Sequence, residues 1–532
     1  MKTEASSSQW LKVVITVVLL LGIAFRFVNL DRKPYWHDET YTSLYLSGYS
    51  AQEAIQHLFA GQIVKVKDLL HYQYPSSEHS VLDTIDGLAT KNAQHPPLYY
   101  ALARLWVDYF GASIAAMRVL PAAIGLLALP GIYWLGLELF ASPAVGWMAM
   151  SLWAVSPLSI RYAQEARQYS LWIVIVLCSS ALLLRAMHSK VLWHWILYLW
   201  MLIAGLYCHV LFALTLLGHG FYVLLIERFR LSQNAIRYLL AAGVSIISFI
   251  PWLWTMWQHR ETIGLSTAWT KEPVPLLTLL KSWGIHICQL FAAWHFRYDE
   301  RLVYLAIPIL FLSIFACVTL FRHGLKRQWL FLFISMGVSF LPILLPDLIW
   351  GGRRSMNTRY LLPFYLGIDL AIAYLLVDRM TQKYATAVHR KTWQSIAAVL
   401  MTCSIVTCAI SSQATSWWGW SEFDVEIPKI VNRAVDPLLV SDMPLGVIMP
   451  LSHRLDPDTK ILLSTEPETL KIPDLSGDVF LYNPSDRLKS VIAQQRMKSE
   501  IVYQFQDDTL TLSLYKLQAI PEIKTTALLG LG

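Results

Sequence analysis

The chain has 532 residues, 55% of them hydrophobic and only 15% charged, with a mean hydropathy of +0.45. That balance excludes an ordinary soluble protein, because repeated apolar runs of about 18 residues or more read as membrane spans. The net charge of +7 sits in short basic clusters scattered between those runs. Such clusters orient a polytopic protein rather than form a nucleic-acid-binding face.

The N-terminus carries Lys2 and Lys12 around an apolar run from about Leu11 to Val28. No small-residue cleavage site follows it, so it reads as an uncleaved signal-anchor. A large external loop over 31–116 comes next. It opens on Pro34-Tyr35-Trp36-His37-Asp38-Glu39-Thr40, where Tyr35 and Trp36 are residue types that anchor at headgroup level. The adjacent carboxylates Asp38 and Glu39 sit just beyond the membrane boundary. A carboxylate there can deprotonate an acceptor as it attacks a sugar. Its neighbour can orient substrate or bind a metal, and the bland alternative is a solvated acidic loop. Later in this loop, His95-Pro96-Pro97 starts a helix to about Phe110, expected to lie in the membrane interface without crossing.

Ten further apolar runs follow, at about 117–140, 144–160, 171–187, 191–207, 209–226, 238–257, 302–321, 329–346, 360–377 and 393–410. With the anchor they make about eleven spans. With the N-terminus in the cytoplasm, Arg228, Arg230 and Arg237 fall on the cytoplasmic side. So do Arg322, Lys326 and Arg327, in keeping with the positive-inside bias. The opposite face receives Asp38, His95, Glu165, His209 and 351–359.

Three features of that face suggest chemistry. Glu165 lies between Arg161 and Arg167 in a polar cluster between two apolar runs. It reads as an active-site acid with phosphate-binding arginines, or as an interfacial salt-bridge set. Arg353, Arg354 and Arg359 run against the positive-inside trend, and guanidinium groups bind phosphate by paired charge-assisted hydrogen bonds. His95 and His209 could ligate a divalent ion such as Zn, Mg or Mn, although no HExxH or CxxC pattern supports one. The six cysteines mostly fall in apolar runs and show no disulfide or metal spacing.

Beyond about residue 412 the composition changes. Short apolar runs at 438–440, 460–464, 479–482, 501–505 and 510–517 look like strands, and 488–497 looks like a helix. The expected domains are therefore a transmembrane part over 1–412 and a small extracytoplasmic α/β domain over 413–532.

Taken in order, the DE loop, HPPL, YAQEARQYSL, the CHV histidine and NTRYLLP resemble bacterial GT-C membrane glycosyltransferases. The similarity covers roughly residues 10–380. The nearest group is the protein O-mannosyltransferase-like family, which includes the lipid A aminoarabinose transferases. The resemblance implies a GT-C fold and a polyprenyl-phosphate-linked sugar donor. It also implies transfer of a hexosyl or pentosyl group to a protein, lipid or glycan acceptor at the outer face of a bacterial inner membrane. It makes Asp38 the base, with Glu39 its usual neighbour, puts His95 where relatives place an HPP or an acidic metal ligand, and sets Arg359 near the donor phosphate. Here Glu165 stands where relatives often place an aspartate. Competing readings are a lipid-linked-sugar flippase and a polysaccharide polymerase or ligase. A flippase should show repeated halves with polar groups at the midplane, and no clear repeat exists.

Overall fold

The computed structural model describes residues 2–189, 191–293, 304, 306–382, 384, 386–416, 421–472, 477–506 and 511–519. It divides into two compact units, residues 1–33 with 75–419 and residues 34–74 with 420–532.

The first unit is a helical bundle. Among the described residues, seven helices are long and apolar enough to cross a membrane, or eight if one bent pair is a single span. The described part of every expected span coincides with a helix; the start of the 302–321 run lies outside the described residues. The segment Thr358–Thr381 is 83% buried across its apolar window and forms the bundle centre. Gln233–Gln258 is only 28% buried and exposes Leu240, Ile247 and Trp254, as a lipid-facing helix does. Gly136 lets the Ala128–Phe140 and Pro143–Val155 helices touch through their backbones, since a Cβ there would lie 3.0 Å from the Gly146 Cα. The His95 segment leads into Leu98–Phe110, a 13-residue helix too short to span (about 20 residues are needed).

The bend is the feature that positions chemistry. Pro143–Val155 and Pro157–Ala163 meet at 62°. Pro157 has no N–H to continue the ladder and pushes Ser156 into extended backbone. The short second helix then releases the chain into 164–168.

The second unit is a three-layer α/β sandwich. Its strands are β1 (Ala60–Lys65), β2 (Leu438–Ser441), β3 (Lys460–Ser464), β4 (Val479–Tyr482), β5 (Met497–Gln506) and β6 (Thr511–Ala519), in the order β1-β3-β2-β4-β6-β5. β2 runs parallel to β3 and β4, while the outer pairs are antiparallel. Both faces are apolar, as a buried parallel core requires. Leu439, Ile461, Leu463 and Phe480 pack on one side with Leu44, Leu58, Leu69 and Ile448. Leu438, Val440, Leu462 and Leu481 pack on the other with Leu488 and Ile492.

This arrangement alters the expected boundaries. Residues 34–74 are not a loop of the membrane part. Their strand β1 pairs with β3, Ala60 facing Ser464 and Lys65 facing Lys460, and their helices cover one sheet face. The expected helix over 488–497 is Asp486–Gln494, because β5 begins at Met497. Of the last expected strand, residue 510 lies outside the described residues.

Candidate active site

In the bundle, the polar segment after the bend gathers cations around one carboxylate. Glu165 and Arg167 are 2% and 3% exposed, and Arg161 is half-buried. The Arg161 guanidinium lies 5.5 Å from the centre of the Tyr162 ring. Tyr162 also feels the charges of Glu165 and Arg359 and hydrogen-bonds Thr358. The Arg167 guanidinium packs 5.8 Å over Tyr100, with Nη2 3.5 Å from His95 Nε2. The Tyr100 hydroxyl donates to Gln168 Oε1 at 2.9 Å. His209, in the turn after Leu192–Cys208, feels both Arg167 and Arg359. Arg161, Glu165, Arg167, Arg359, His95 and His209 thus come together.

Local folding holds this segment in place. Gln164 Nε2 donates to the carbonyls of Phe25 (2.8 Å) and Val28 (3.2 Å), capping the first helix. The Leu158 N–H donates to the Gln289 carbonyl at 3.0 Å. Arg118 donates to the carbonyls of Leu30 (2.6 Å) and Lys33 (3.1 Å), fixing where the chain leaves the first helix. Lys33 beside it is buried, and that burial with the nearby Arg118 and Arg32 lowers its pKa to about 8.

Arg353 and Arg354 engage carboxylates instead. Arg353 pairs with Glu272 at 2.7 Å and donates from Nε to the Trp269 carbonyl at 3.1 Å. Arg354 pairs with Asp347 at 2.8 Å, and Asp347 also accepts from the Ser355 N–H and hydroxyl, each at 2.7 Å. These contacts order the 351–359 loop ahead of Arg359.

In the second unit, Asp38 occupies the first turn of His37–Ser47. Its Oδ1 lies 3.2 Å from His37 Nδ1, and its side chain is 15% exposed. Glu39 is fully buried and reaches back towards the Trp36 N–H at 3.4 Å, a capping position. Burial and the Asp38 charge raise the Tyr41 pKa. Gly446 admits this turn, because a Cβ there would come within 2.7 Å of His37 Nε2.

His95 and His209 do not fit a metal ion as its ligands. Among the described residues no three His, Cys, Asp or Glu side chains converge to hold one. His95 Nε2 faces a guanidinium, and His209 Nδ1 already accepts the Leu211 N–H at 3.1 Å.

Asp347, Tyr162 and Gln168 were missed from the sequence. Asp347 carried a signal, since a carboxylate inside an apolar run is costly unless engaged. The others look like ordinary residues of apolar or polar runs.

No protein-family model matches the sequence, and no curated protein matches it. Solved structures do. ArnT from Cupriavidus metallidurans in the apo state matches at a TM-score of 0.50 and 12% identity, over 96% of this chain and 98% of that one. The same protein bound to undecaprenyl phosphate matches at 0.49 and 11%, over 96% and 98%. The oligosaccharyltransferase AglB from Archaeoglobus fulgidus, in complex with an inhibitory peptide and dolichol-phosphate, matches at 0.48 and 10%, over 86% and 65%. The chain has the GT-C fold.

Proposed function

We propose that this protein is a membrane glycosyltransferase that moves a hexosyl or pentosyl group from a polyprenyl-phosphate carrier to a protein, lipid or glycan acceptor. Its setting is the extracytoplasmic face of a bacterial inner membrane. The observation that carries the reading is the convergence of Arg161, Arg167 and Arg359 with a single acid, Glu165, beside the bend of a broken span. Non-helical backbone at membrane depth is tolerated where it lines a protein-enclosed site. The GT-C fold and the ordered motifs support the same reading.

A lipid phosphate is a leaving group whose negative charge grows as the sugar departs. Guanidinium groups held in a water-poor site stabilise that charge. Arg161, Arg167 and Arg359 take this role, and Arg353 and Arg354 order the loop that carries Arg359. Asp38 takes the acceptor proton, with Glu39 setting its helical turn. Glu165 balances the cations and orients the donor. The oxygen–carbon bond to the acceptor forms as the carbon–oxygen bond to phosphate breaks, so the anomeric configuration inverts.

The test is transfer by the purified protein in liposomes, offered radiolabelled polyprenyl-phosphate sugars or nucleotide sugars. Label should move to an acceptor from the lipid-linked pool alone, with release of polyprenyl phosphate. Transfer from nucleotide sugars, or passage of intact lipid-linked sugar across the bilayer, contradicts the proposal.

A further inference from the structure

His209 is held in one orientation. Its N–H donates to the Gly205 carbonyl at 3.0 Å, and its carbonyl accepts the Phe212 N–H at 2.9 Å. The Cys208 thiol donates to the Gln168 carbonyl at 3.8 Å, tying the turn to the start of Tyr169–His188. The imidazole stacks on Trp172 with centroids 4.1 Å apart and planes at 6°. The residue is 5% exposed.

That orientation fixes the tautomer. The Leu211 N–H points at Nδ1 from 3.1 Å, so Nδ1 must offer a lone pair and the neutral ring carries its proton on Nε2. Burial, with Arg167 and Arg359 nearby, lowers the pKa of this turn residue to about 3, which keeps the ring neutral at working pH. Among the described residues Nε2–H has no hydrogen-bond partner. The neighbouring Arg167 and Arg359 favour an anion as the acceptor for this N–H. The 20-residue Tyr169–His188 helix adds the positive end of its dipole beside the turn.

A metal ion does not suit this ring. Ligation through Nε2 would shift the proton to Nδ1, against the Leu211 N–H, and the hydrogen bond would be lost.

We infer that His209 is a phosphate-binding residue whose Nε2–H donates to an oxygen of the lipid-linked donor's phosphate, alongside Arg167 and Arg359. This rests on the glycosyltransferase reading and adds a neutral donor to it.

The experiment measures binding of undecaprenyl monophosphate and of undecaprenol to the full-length protein in nanodiscs, for wild type, His209→Phe, His209→Gln and Arg359→Ala. Phe keeps the stack on Trp172 and removes the donor. It should weaken the monophosphate about tenfold, the size of one hydrogen bond to a charged group, and leave undecaprenol unchanged. Gln, which restores an N–H donor, should recover most of the loss. If His209→Phe binds monophosphate as wild type does while Arg359→Ala does not, the His209 assignment fails and the donor reading stands. If wild type binds both lipids alike, the donor reading fails as well. Nitrogen-15 NMR of wild type tests the assignment without a variant. A proton on Nε2 whose resonance moves with monophosphate supports it, and a proton on Nδ1, or stoichiometric zinc on the ring, overturns it.

Discussion

Arg26 and Ala154 meet across 128 positions of sequence, the guanidinium Nη1 donating to the Ala154 carbonyl at 2.7 Å. The same side chain donates to Gly22 O at 2.6 Å and to Ser159 Oγ at 2.7 Å, and it is fully buried. The break at Ser156–Pro157 frees the carbonyls at the end of Pro143–Val155, and Arg26 satisfies them from the neighbouring helix. It also bridges to Pro157–Ala163, beyond the bend, through Ser159. Arg26 is therefore a positioning residue for the Arg161–Arg167 segment.

Replacing it by methionine of similar length removes the side-chain donor to the Ala154 carbonyl and the link to Ser159. Arg26→Met should destabilise the protein by about 2–4 kcal/mol and lower transfer more than tenfold. Thermal unfolding in detergent, with activity measured well below the transition, checks both.

Asp347 orders the loop before Arg359 by accepting from Arg354 and twice from Ser355. Asp347→Ala should cost about 2 kcal/mol of stability. It should also raise KM for the lipid-linked donor more than it lowers kcat, because Arg359 loses its support. Asp347→Asn, which keeps an acceptor oxygen, should recover part of the loss. Steady-state kinetics over a range of donor concentrations separates the two parameters.

Asp424 gives the second unit a pH dependence. It is 4% exposed, and burial raises its carboxyl pKa to about 7 against the opposing pull of Arg454. The folded protein then binds this proton more tightly than the unfolded chain, whose carboxyl titrates near about 4. The contribution is fully present below that value and is lost as pH rises through about 7. Asp424→Asn should remove this slope and raise stability at pH 8 by about 1–3 kcal/mol. Unfolding midpoints of wild type and variant between pH 4 and 8 should converge at the acid end.

The helices and inner strands were legible because their signals are local. Lys460–Ser464 and Val479–Tyr482 are found at their expected boundaries, each an apolar run closed by turn residues. The placement of 34–74 was not legible. Ala-Gly-Gln-Ile-Val-Lys is a weak strand with exposed positions and a glycine at φ +70°. Only its distant partner β3 makes it one. Glu165, Arg167, Arg359 and His209 were expected on one face from an alternating order of spans, and in the bundle they lie near one another. The carboxylate partners of Arg353 and Arg354 did not, because Glu272 and Asp347 reach them from separate segments. The His209 tautomer was hidden for a related reason, being set by a single backbone N–H two residues on.

The most direct test of the account is the initial rate of sugar transfer from a polyprenyl-phosphate donor by wild type and Asp38→Asn. Asparagine keeps the shape of the side chain and removes its basicity. The account predicts a fall in kcat of about a hundredfold or more, with donor KM and the unfolding midpoint little changed. Wild-type rates in Asp38→Asn would contradict it, because the acceptor proton would then be leaving by another route.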